Sequence, residues 1–173
     1  SISIRALLVS SICFGNSKIK NFLISDDVIN TLESLKKLGI KVKKKNNFIE
    51  VYGNGGYFKN PKSSLDLGNS GTGVRLLCGL LCNRGVKARL VGDKSLSSRS
   101  MMRIVDPLSK MNAVLKHKNG FLPLEIQNNH DTSIPIKYNL KFGSAQIKSA
   151  ILLAGLNLKG TTTVKENIPS RDH

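Results

Sequence analysis

An internal repeat with a period of about 70 residues constrains the fold of this chain more than any other feature. Arg5 is followed by Gly15 after ten residues, and Arg75 is followed by Gly85 after the same interval. In both copies the residues between are mostly apolar, which predicts a helix. Self-similarity at a fixed period is typical of folds assembled from copies of one structural unit.

Each copy has the same predicted order of helix, strand, helix and hairpin. In the first copy these elements are a helix over 3–12 with Gly15 as its C-cap, a strand over 17–23, a helix from Ser25 to Leu38, and hairpin strands over 40–42 and 48–51. In the second copy they are a helix over 71–82, a strand over 86–91, one helix from Leu96 to Met111, and hairpin strands over 114–115 and 122–126. A third copy begins at 143–146, with a helix over 147–156 and a strand over 161–164.

With one further strand before each first helix, the pattern predicts an α/β fold built from βαβαββ units. We expect the repeats at about 1–53, 67–128 and 142–173, the third being truncated. The chain starts at Ser1 within a helical pattern and stops before the third unit closes, so we expect a fragment of a longer protein.

Short polar loops at 68–72 and 143–146 precede two of the predicted helices. Helix N-termini carry unpaired N–H groups and partial positive charge, which attract phosphates and carboxylates. Stacked units would point several N-termini the same way, and cations near them would add to the field. Those cations are Arg5, Arg75, Arg99, Lys148 and Arg171. The pattern predicts a small polyanionic ligand, unless these serines, asparagines and glycines serve only as caps and turns.

The net charge of +16 suggests a nucleic-acid partner at first sight. However, Lys outnumbers Arg 20 to 7, as AT-rich codons alone would produce, and only 5% of residues are aromatic, with no Trp for base stacking. The densest basic run, 41–45, alternates like an exposed strand and predicts a solvated face. We therefore expect no nucleic-acid partner and keep a basic nucleic-acid-binding domain as an alternative, which a salt-dependent binding assay would detect.

Composition and cysteine spacing exclude several classes of protein. No apolar run approaches the roughly 18 residues that span a bilayer, and no signal-peptide pattern is present. The three cysteines, Cys13, Cys78 and Cys82, are too few for a disulfide scaffold, and no matching ligands make them a zinc site. We expect all three to be small core residues.

Four segments together identify a family. They are 67–75 (LGNSGTGVR), 92–101 (GDKSLSSRSM), 144–157 (SAQIKSAILLAGLN) and 170–173 (SRDH). These segments, with 1–8 and 26–28, resemble the 5-enolpyruvylshikimate-3-phosphate (EPSP) synthases, or 3-phosphoshikimate 1-carboxyvinyltransferases, of the class II bacterial type. The resemblance spans essentially the whole chain. It departs from the family's pattern at Ser100, where proline is usual, and the family's lysine directly before Ser1 lies outside this sequence.

The resemblance implies an enzyme of two similar domains, each an inside-out α/β barrel of three βαβαββ units. Residues 1–173 would be part of one substrate-binding domain, and the second domain of the same chain would be its partner. The implied reaction joins phosphoenolpyruvate to the 5-hydroxyl of shikimate 3-phosphate and releases phosphate, without cofactor or metal. We expect the parent to be monomeric, cytoplasmic and independent of membranes.

The same resemblance assigns roles to individual residues. Contacts to shikimate 3-phosphate are expected from Ser1, Arg5, Ser144, Ala145, Gln146 and Arg171. Contacts to phosphoenolpyruvate are expected from Gly71, Arg99 and Gln146, whereas Arg75 is a candidate structural partner. The acid and base carboxylates would lie in the other domain. No catalytic residue is therefore expected here, the fragment alone should be inactive, and Asp26, Asp27 and Asp93 should be helix or turn residues.

The nearest enzyme alternative is the related transferase that acts on UDP-N-acetylglucosamine. That relative uses a reactive cysteine in a glycine-rich loop. Here Cys78 and Cys82 stand four residues apart within an apolar helix, and Cys13 ends another. The cysteine pattern therefore favours the synthase.

Overall fold

The computed structural model describes residues 2–127 and 130–170. Its α-helices are α1 (Ile2–Ile12), α2 (Asp26–Lys37), α3 (Gly71–Leu81), α4 (Lys94–Ser97), α5 (Met102–Lys110) and α6 (Ala145–Gly155), with a short 3-10 turn at His130–Thr132. Its strands are β1 (Phe14–Lys20), β2 (Lys41–Lys44), β3 (Phe48–Asn54), β4 (Leu65–Asp66), β5 (Ala88–Val91), β6 (Leu115–Lys118), β7 (Phe121–Ile126), β8 (Lys137–Leu140) and β9 (Thr163–Glu166).

Three apolar helices, α1, α3 and α6, run parallel through the interior. Near their first turns, Arg5 of α1 donates from Nη2 to the Ala145 carbonyl oxygen of α6 at 3.3 Å. Beyond their last turns, Asn157 after α6 donates from Nδ2 to the carbonyl oxygen of Asn83 after α3 at 2.8 Å. Because the first turns contact each other and the residues after the last turns contact each other, the N-termini of these helices lie at one end of the domain.

The α3–α6 contact is made backbone to backbone. A Cβ added to Gly79 of α3 would lie 2.7 Å from Cα of Ala150 on α6, closer than real Cβ atoms approach. Around this crossing the core is fully buried, with Leu76, Leu80 and Ile151 at 0% exposure. The glycine therefore sets how closely the two helices approach.

Three sheets cover the outside of the helices. The first is antiparallel in the order β1-β3-β2. The second has the order β4-β5-β7-β6, with β4 parallel to β5, and the third pairs β8 with β9 in parallel. Helices inside and sheets outside are the predicted inside-out α/β arrangement. Between 65 and 126 the order is βαβαββ, with its second helix in two parts, and β4 and β8 begin before the predicted repeat starts at 67 and 142.

The outer face of the first sheet carries the lysine run. On β3, Ile49 and Val51 point inward and are buried, whereas Tyr52 is only half-buried. Lys41 and Lys43 are exposed, and their ammonium nitrogens lie 5.0 and 5.5 Å from the Tyr52 ring centroid. The prediction that this run forms a solvated face is confirmed.

The prediction that Gly15 caps the first helix is wrong. The helix ends at Ile12, and Gly15 is already in β1, paired with Gly53 of β3. Its φ of +92° is readily adopted by glycine, so the chain turns from helix to strand without a separate loop. The carbonyl of Cys13 at the helix end accepts instead from the Gly55 N–H at 3.0 Å.

The prediction of one helix from Leu96 to Met111 is also wrong. Two helices, α4 and α5, are separated by the four residues 98–101. Met101 is buried, and its N–H donates to the Gly120 carbonyl oxygen of the β6–β7 turn at 2.7 Å. This long-range bond holds the chain out of helical geometry at the break.

The cysteines divide between core and surface. Cys78 and Cys82 are buried as predicted, and burial raises the pKa of Cys78 to about 12. Cys13 is exposed, contrary to the prediction, because it lies after α1 has ended; its Sγ donates to the Val9 carbonyl oxygen at 3.3 Å. Across 2–127 and 130–170, no helix is long and apolar enough to cross a membrane, and no group of three His, Cys, Asp or Glu side chains could hold a metal ion.

Substitution of Gly79 by alanine tests the α3–α6 contact. In an open helix this change is stabilising by about 0.5–1 kcal/mol. Here the added methyl would meet the Ala150 backbone, so we expect the free energy of unfolding to fall by about 1–3 kcal/mol in urea titrations. Ser109→Ala on the exposed face of α5 is the control and should change it by less than about 0.5 kcal/mol. A stabilised Gly79→Ala variant would contradict this packing.

The ion pair between α6 and β9 predicts a pH-dependent contribution to stability. Lys148 Nζ lies 2.8 Å from Glu166 Oε2, and hydrogen bonds from Lys148 and then Ser170 lower the pKa of Glu166 in the folded chain. A carboxylate with a lowered pKa stabilises the fold above its unfolded pKa, and this contribution disappears as the pH falls through the folded pKa. Glu166→Gln should therefore lower the Tm at about pH 7 but not at about pH 2.

The control for this prediction is Glu125→Gln. Glu125 forms a looser pair with Arg89 at 3.7 Å, and both side chains are about half exposed, so its loss should change little at either pH. Equal losses of Tm at both pH values in Glu166→Gln would contradict the assignment.

Candidate functional site

Serine caps define the starts of α3 and α6. Ser70 Oγ accepts from the Gly73 N–H at 3.0 Å, and Ser144 Oγ accepts from the Ile147 N–H at 3.4 Å. These bonds fix the helix starts, so the capping role that the sequence left open is present. The N-terminal turns that follow bring Gly71 and Ala145 to the same end of the domain as the start of α1.

Gln146 joins the starts of α3 and α6. Its Oε1 accepts from Arg75 Nη1 at 2.8 Å, and its Nε2 donates to Thr72 Oγ1 at 2.9 Å. Arg75 Nη1 also lies 3.3 Å from the Gly71 carbonyl oxygen, one turn earlier on its own helix. Both polar atoms of the Gln146 amide are therefore hydrogen-bonded to side chains of α3.

Arg5 lies across the gap between α1 and α6. Its Nε and Nη2 donate to Ser149 Oγ at 3.3 and 3.1 Å, and its Nη2 also donates to the Ala145 carbonyl oxygen at 3.3 Å. Partial burial lowers the pKa of Arg5, although an arginine remains charged at neutral pH. The cation is thus fixed beside the first turn of α6.

Arg99 occupies the break between α4 and α5. Its Nη2 donates to Asn69 Oδ1 at 2.6 Å and to Ser95 Oγ at 3.2 Å. Its side chain is exposed, and Asn69 holds it over the loop that leads into α3. The break between α4 and α5, which the sequence did not predict, therefore places the Arg99 guanidinium beside the loop that leads into α3.

Gly71 lies between two guanidinium groups. An added Cβ would be 3.0 Å from Arg75 Nη1 and 3.4 Å from Arg99 Nη1. A side chain at this position would displace the arginines or narrow the space between them. Glycine therefore lets both guanidinium groups lie close to the first turn of α3.

The electrostatics of this end of the domain are strongly positive. Burial lowers the pKa of Arg75, and the charges of Arg99 and Arg103 lower it further. Within 2–127 and 130–170, no carboxylate forms an ion pair with Arg75 or Arg99. Cations held together without acidic partners favour a bound anion.

Six predicted site residues, namely Arg5, Gly71, Arg99, Ser144, Ala145 and Gln146, therefore lie together at one end of the domain, and Arg75 links them. In spatial order, the connected groups are Arg99, Gly71, Arg75, Gln146, Ala145 and Arg5, with Ser144 capping the helix between them. Ser1 and Arg171 lie outside the described residues. Asp26 and Asp27 are in the first turn of α2, and Asp93 accepts from the Leu96 N–H at 2.7 Å as the N-cap of α4, in agreement with their predicted roles.

Sequence reasoning missed the partners of these residues. Thr72, Asn69 and Ser149 hold Gln146, Arg99 and Arg5, respectively. Ser149 lies one helical turn after Ala145, Thr72 directly follows Gly71, and Asn69 lies in the loop before it. This closeness to predicted site residues is the signal that could have indicated them.

The cation-lined surface is open. A cavity of about 220 Å³ lies beside Ser144 at the start of α6, and one of about 240 Å³ lies beside Arg5 along α6 between Ser149 and Leu156. A larger cavity, about 490 Å³, lies instead between the 20–24 and 44–49 turns of the first sheet. Charge and hydrogen bonding, rather than cavity size, therefore identify the candidate site.

Comparison with known proteins matches the whole chain. The family model described as EPSP synthase (3-phosphoshikimate 1-carboxyvinyltransferase) matches residues 1–173. Proteins named 3-phosphoshikimate 1-carboxyvinyltransferase from Leuconostoc mesenteroides and Bradyrhizobium diazoefficiens are 46% and 47% identical over 100% of this chain, covering 40% and 38% of their own lengths. The relative from Ruthia magnifica is 42% identical, again over 100% of this chain and 40% of its own length.

A solved structure also matches nearly the whole of this chain. The EPSP synthase from Acinetobacter baumannii superposes with a TM-score of 0.93 and 37% identity over 99% of this chain and 40% of that chain. This chain thus spans about 40% of the length of the curated relatives that it matches. It belongs to the EPSP synthase (3-phosphoshikimate 1-carboxyvinyltransferase) family.

Proposed function

We propose that the full-length enzyme containing these residues transfers the enolpyruvyl group of phosphoenolpyruvate to the 5-hydroxyl of shikimate 3-phosphate. The observation that carries the proposal is the surface on which Arg5, Arg75 and Arg99 converge at parallel helix starts. Both substrates are phosphorylated carboxylates, and such anions are favoured at helix N-termini flanked by arginines. The product would serve chorismate and aromatic amino acid synthesis.

The α1–α6 part of the surface suits shikimate 3-phosphate. We assign to it Arg5, Ser144, Ala145 and Gln146, together with Ser1 and Arg171 outside the described residues. A guanidinium, a hydroxyl and an amide beside one helix start offer several donors to a phosphate and to ring hydroxyls. Arg5 is already oriented toward this helix by Ser149.

The α3 part of the surface suits phosphoenolpyruvate. We assign to it Gly71 and Arg99, with Gln146 shared between the two substrates. The missing side chain at Gly71 lets Arg99 lie close to the start of α3, and its planar guanidinium matches a phosphate or carboxylate. Adjacent sites of this kind would bring the 5-hydroxyl close to the enolpyruvyl carbon.

In the proposed reaction the 5-hydroxyl gives up its proton to a base as its oxygen bonds to C2 of phosphoenolpyruvate, and the methylene carbon takes up a proton from an acid. Elimination then breaks the bond to phosphate and returns a proton from the methyl group, leaving an enolpyruvyl ether. We propose that the carboxylates that move these protons belong to the second domain, which covers this open surface. The chain alone would be inactive, and the parent would be a cytoplasmic monomer without a nucleic-acid or membrane partner.

A single arginine substitution tests the phosphoenolpyruvate assignment. In the full-length enzyme, Arg99→Gln should lower kcat/KM for phosphoenolpyruvate by about 10- to 100-fold, the loss expected for a charged hydrogen bond. Steady-state kinetics with each substrate varied in turn would measure the effect.

Arg89→Gln is the matched control, since Arg89 is an exposed arginine of β5 paired with Glu125. It should change kcat/KM by less than about threefold. The isolated 173-residue chain serves as the blank and should show no turnover. Equal effects of the two substitutions, or turnover by the isolated chain, would contradict the proposal.

A further inference from the structure

We infer that Arg75 is a positioning residue that fixes the orientation of the Gln146 side-chain amide, so that Gln146 presents a donor to the anionic substrates. The inference rests on the proposed function, in which Gln146 contacts both substrates. It gives a role to a residue that neither the phosphoenolpyruvate nor the shikimate 3-phosphate contacts include.

An arginine side chain can donate hydrogen bonds but cannot accept them. A guanidinium has five N–H donors and no acceptor, so the Gln146 atom 2.8 Å from Arg75 Nη1 must be the carbonyl oxygen. The opposite amide orientation would bring two donors together beside a positive charge. Arg75 therefore selects one of the two orientations of the amide.

The orientation of the Gln146 amide determines whether a ligand contacts its NH₂ group or its carbonyl oxygen. With Oε1 turned to Arg75, the NH₂ group of Gln146 faces Thr72 Oγ1, to which one N–H donates at 2.9 Å. Its second N–H has no partner among residues 2–127 and 130–170 and remains for a ligand. In the reverse orientation, the carbonyl oxygen would take this place and would repel a phosphate or carboxylate.

Arg75 is itself held in place. Its Nη1 lies 3.3 Å from the Gly71 carbonyl oxygen, and its side chain is half-buried against α3. A Cβ on Gly71 would stand 3.0 Å from the same Nη1. A side chain at 71 would therefore disturb Gln146 through Arg75, in addition to filling the space between the arginines.

A double-mutant cycle in the full-length enzyme separates positioning from general structural support. Arg75→Met and Gln146→Ala should each lower kcat/KM by about 10- to 100-fold, as for a hydrogen bond to a charged group. If Arg75 acts through Gln146, adding Arg75→Met to Gln146→Ala should cost less than about threefold more. Fully additive losses, or an unchanged kcat/KM in Arg75→Met, would overturn the inference.

Conservative and matched variants complete the kinetic test. Arg75→Lys keeps a donor and a charge, so its kcat/KM should be at least about threefold higher than that of Arg75→Met. Arg103→Met removes a nearby charge from an exposed residue of α5 that makes no bond to Gln146, and it should lower kcat/KM by less than about threefold. An effect of Arg103→Met as large as that of Arg75→Met would show that charge alone is responsible and would overturn the inference.

A second readout does not depend on turnover. In ¹H–¹⁵N spectra of the full-length enzyme, the Gln146 side-chain amide should show two distinct N–H signals. These should shift and exchange with water more than fivefold faster in Arg75→Met, but not in Arg103→Met. If the wild-type enzyme has no synthase activity while these signals respond as expected, the proposed function fails and the positioning role stands. Unchanged signals in Arg75→Met would overturn the positioning role itself.

Discussion

The close parallel packing of α1, α3 and α6 is the constraint on which the rest of the structure depends. Gly79 lets α3 approach α6 until backbone meets backbone, and the apolar faces around it exclude water. Parallel helices carry about half an elementary positive charge at each N-terminus. Packing them side by side therefore concentrates positive charge at one end of the domain and negative charge at the other.

Arginine side chains lie at both ends of the domain, but they complement the helix dipoles only at the C-terminal end. At the C-terminal end, Arg84 donates from Nη1 to Asn157 Oδ1 at 3.3 Å, and an added Cβ on Gly56 would lie 3.3 Å from Ile12 and 2.9 Å from the Arg84 guanidinium carbon. A cation thus lies near the C-terminal ends of α1, α3 and α6, where the negative ends of the helix dipoles stabilise it.

At the N-terminal end, Arg5, Arg75 and Arg99 add positive charge to positive dipoles. Stability alone disfavours this arrangement, and a bound polyanion would offset it. The packing that builds the core therefore also creates the cationic surface to which we assign anion binding.

Much of this architecture could be predicted from local sequence pattern. Mostly apolar runs located α1, α3 and α6, and the polar loops at 68–72 and 143–146 marked two helix starts. The errors at Gly15 and at the α4–α5 break have a common cause, because each depends on a partner distant in sequence, Gly53 for one and Gly120 for the other.

The candidate site shows the same division between local and long-range information. Motifs indicated which residues to examine, but the bond between Arg75 and Gln146 joins positions 71 residues apart and has no local signal. Likewise, the exposure of Arg99 depends on a helix break that its neighbours in sequence did not reveal.

The central claim is that phosphorylated carboxylates bind where the parallel helix starts meet. Its most direct test is a ¹H–¹⁵N titration of the full-length enzyme with shikimate 3-phosphate, followed by phosphoenolpyruvate. We predict saturable shifts at the backbone amides of 71–75 and 144–149 and at the Arg5 and Arg99 side chains. Shifts confined to the lysine-rich face of the first sheet, with the helix starts unchanged, would contradict the account.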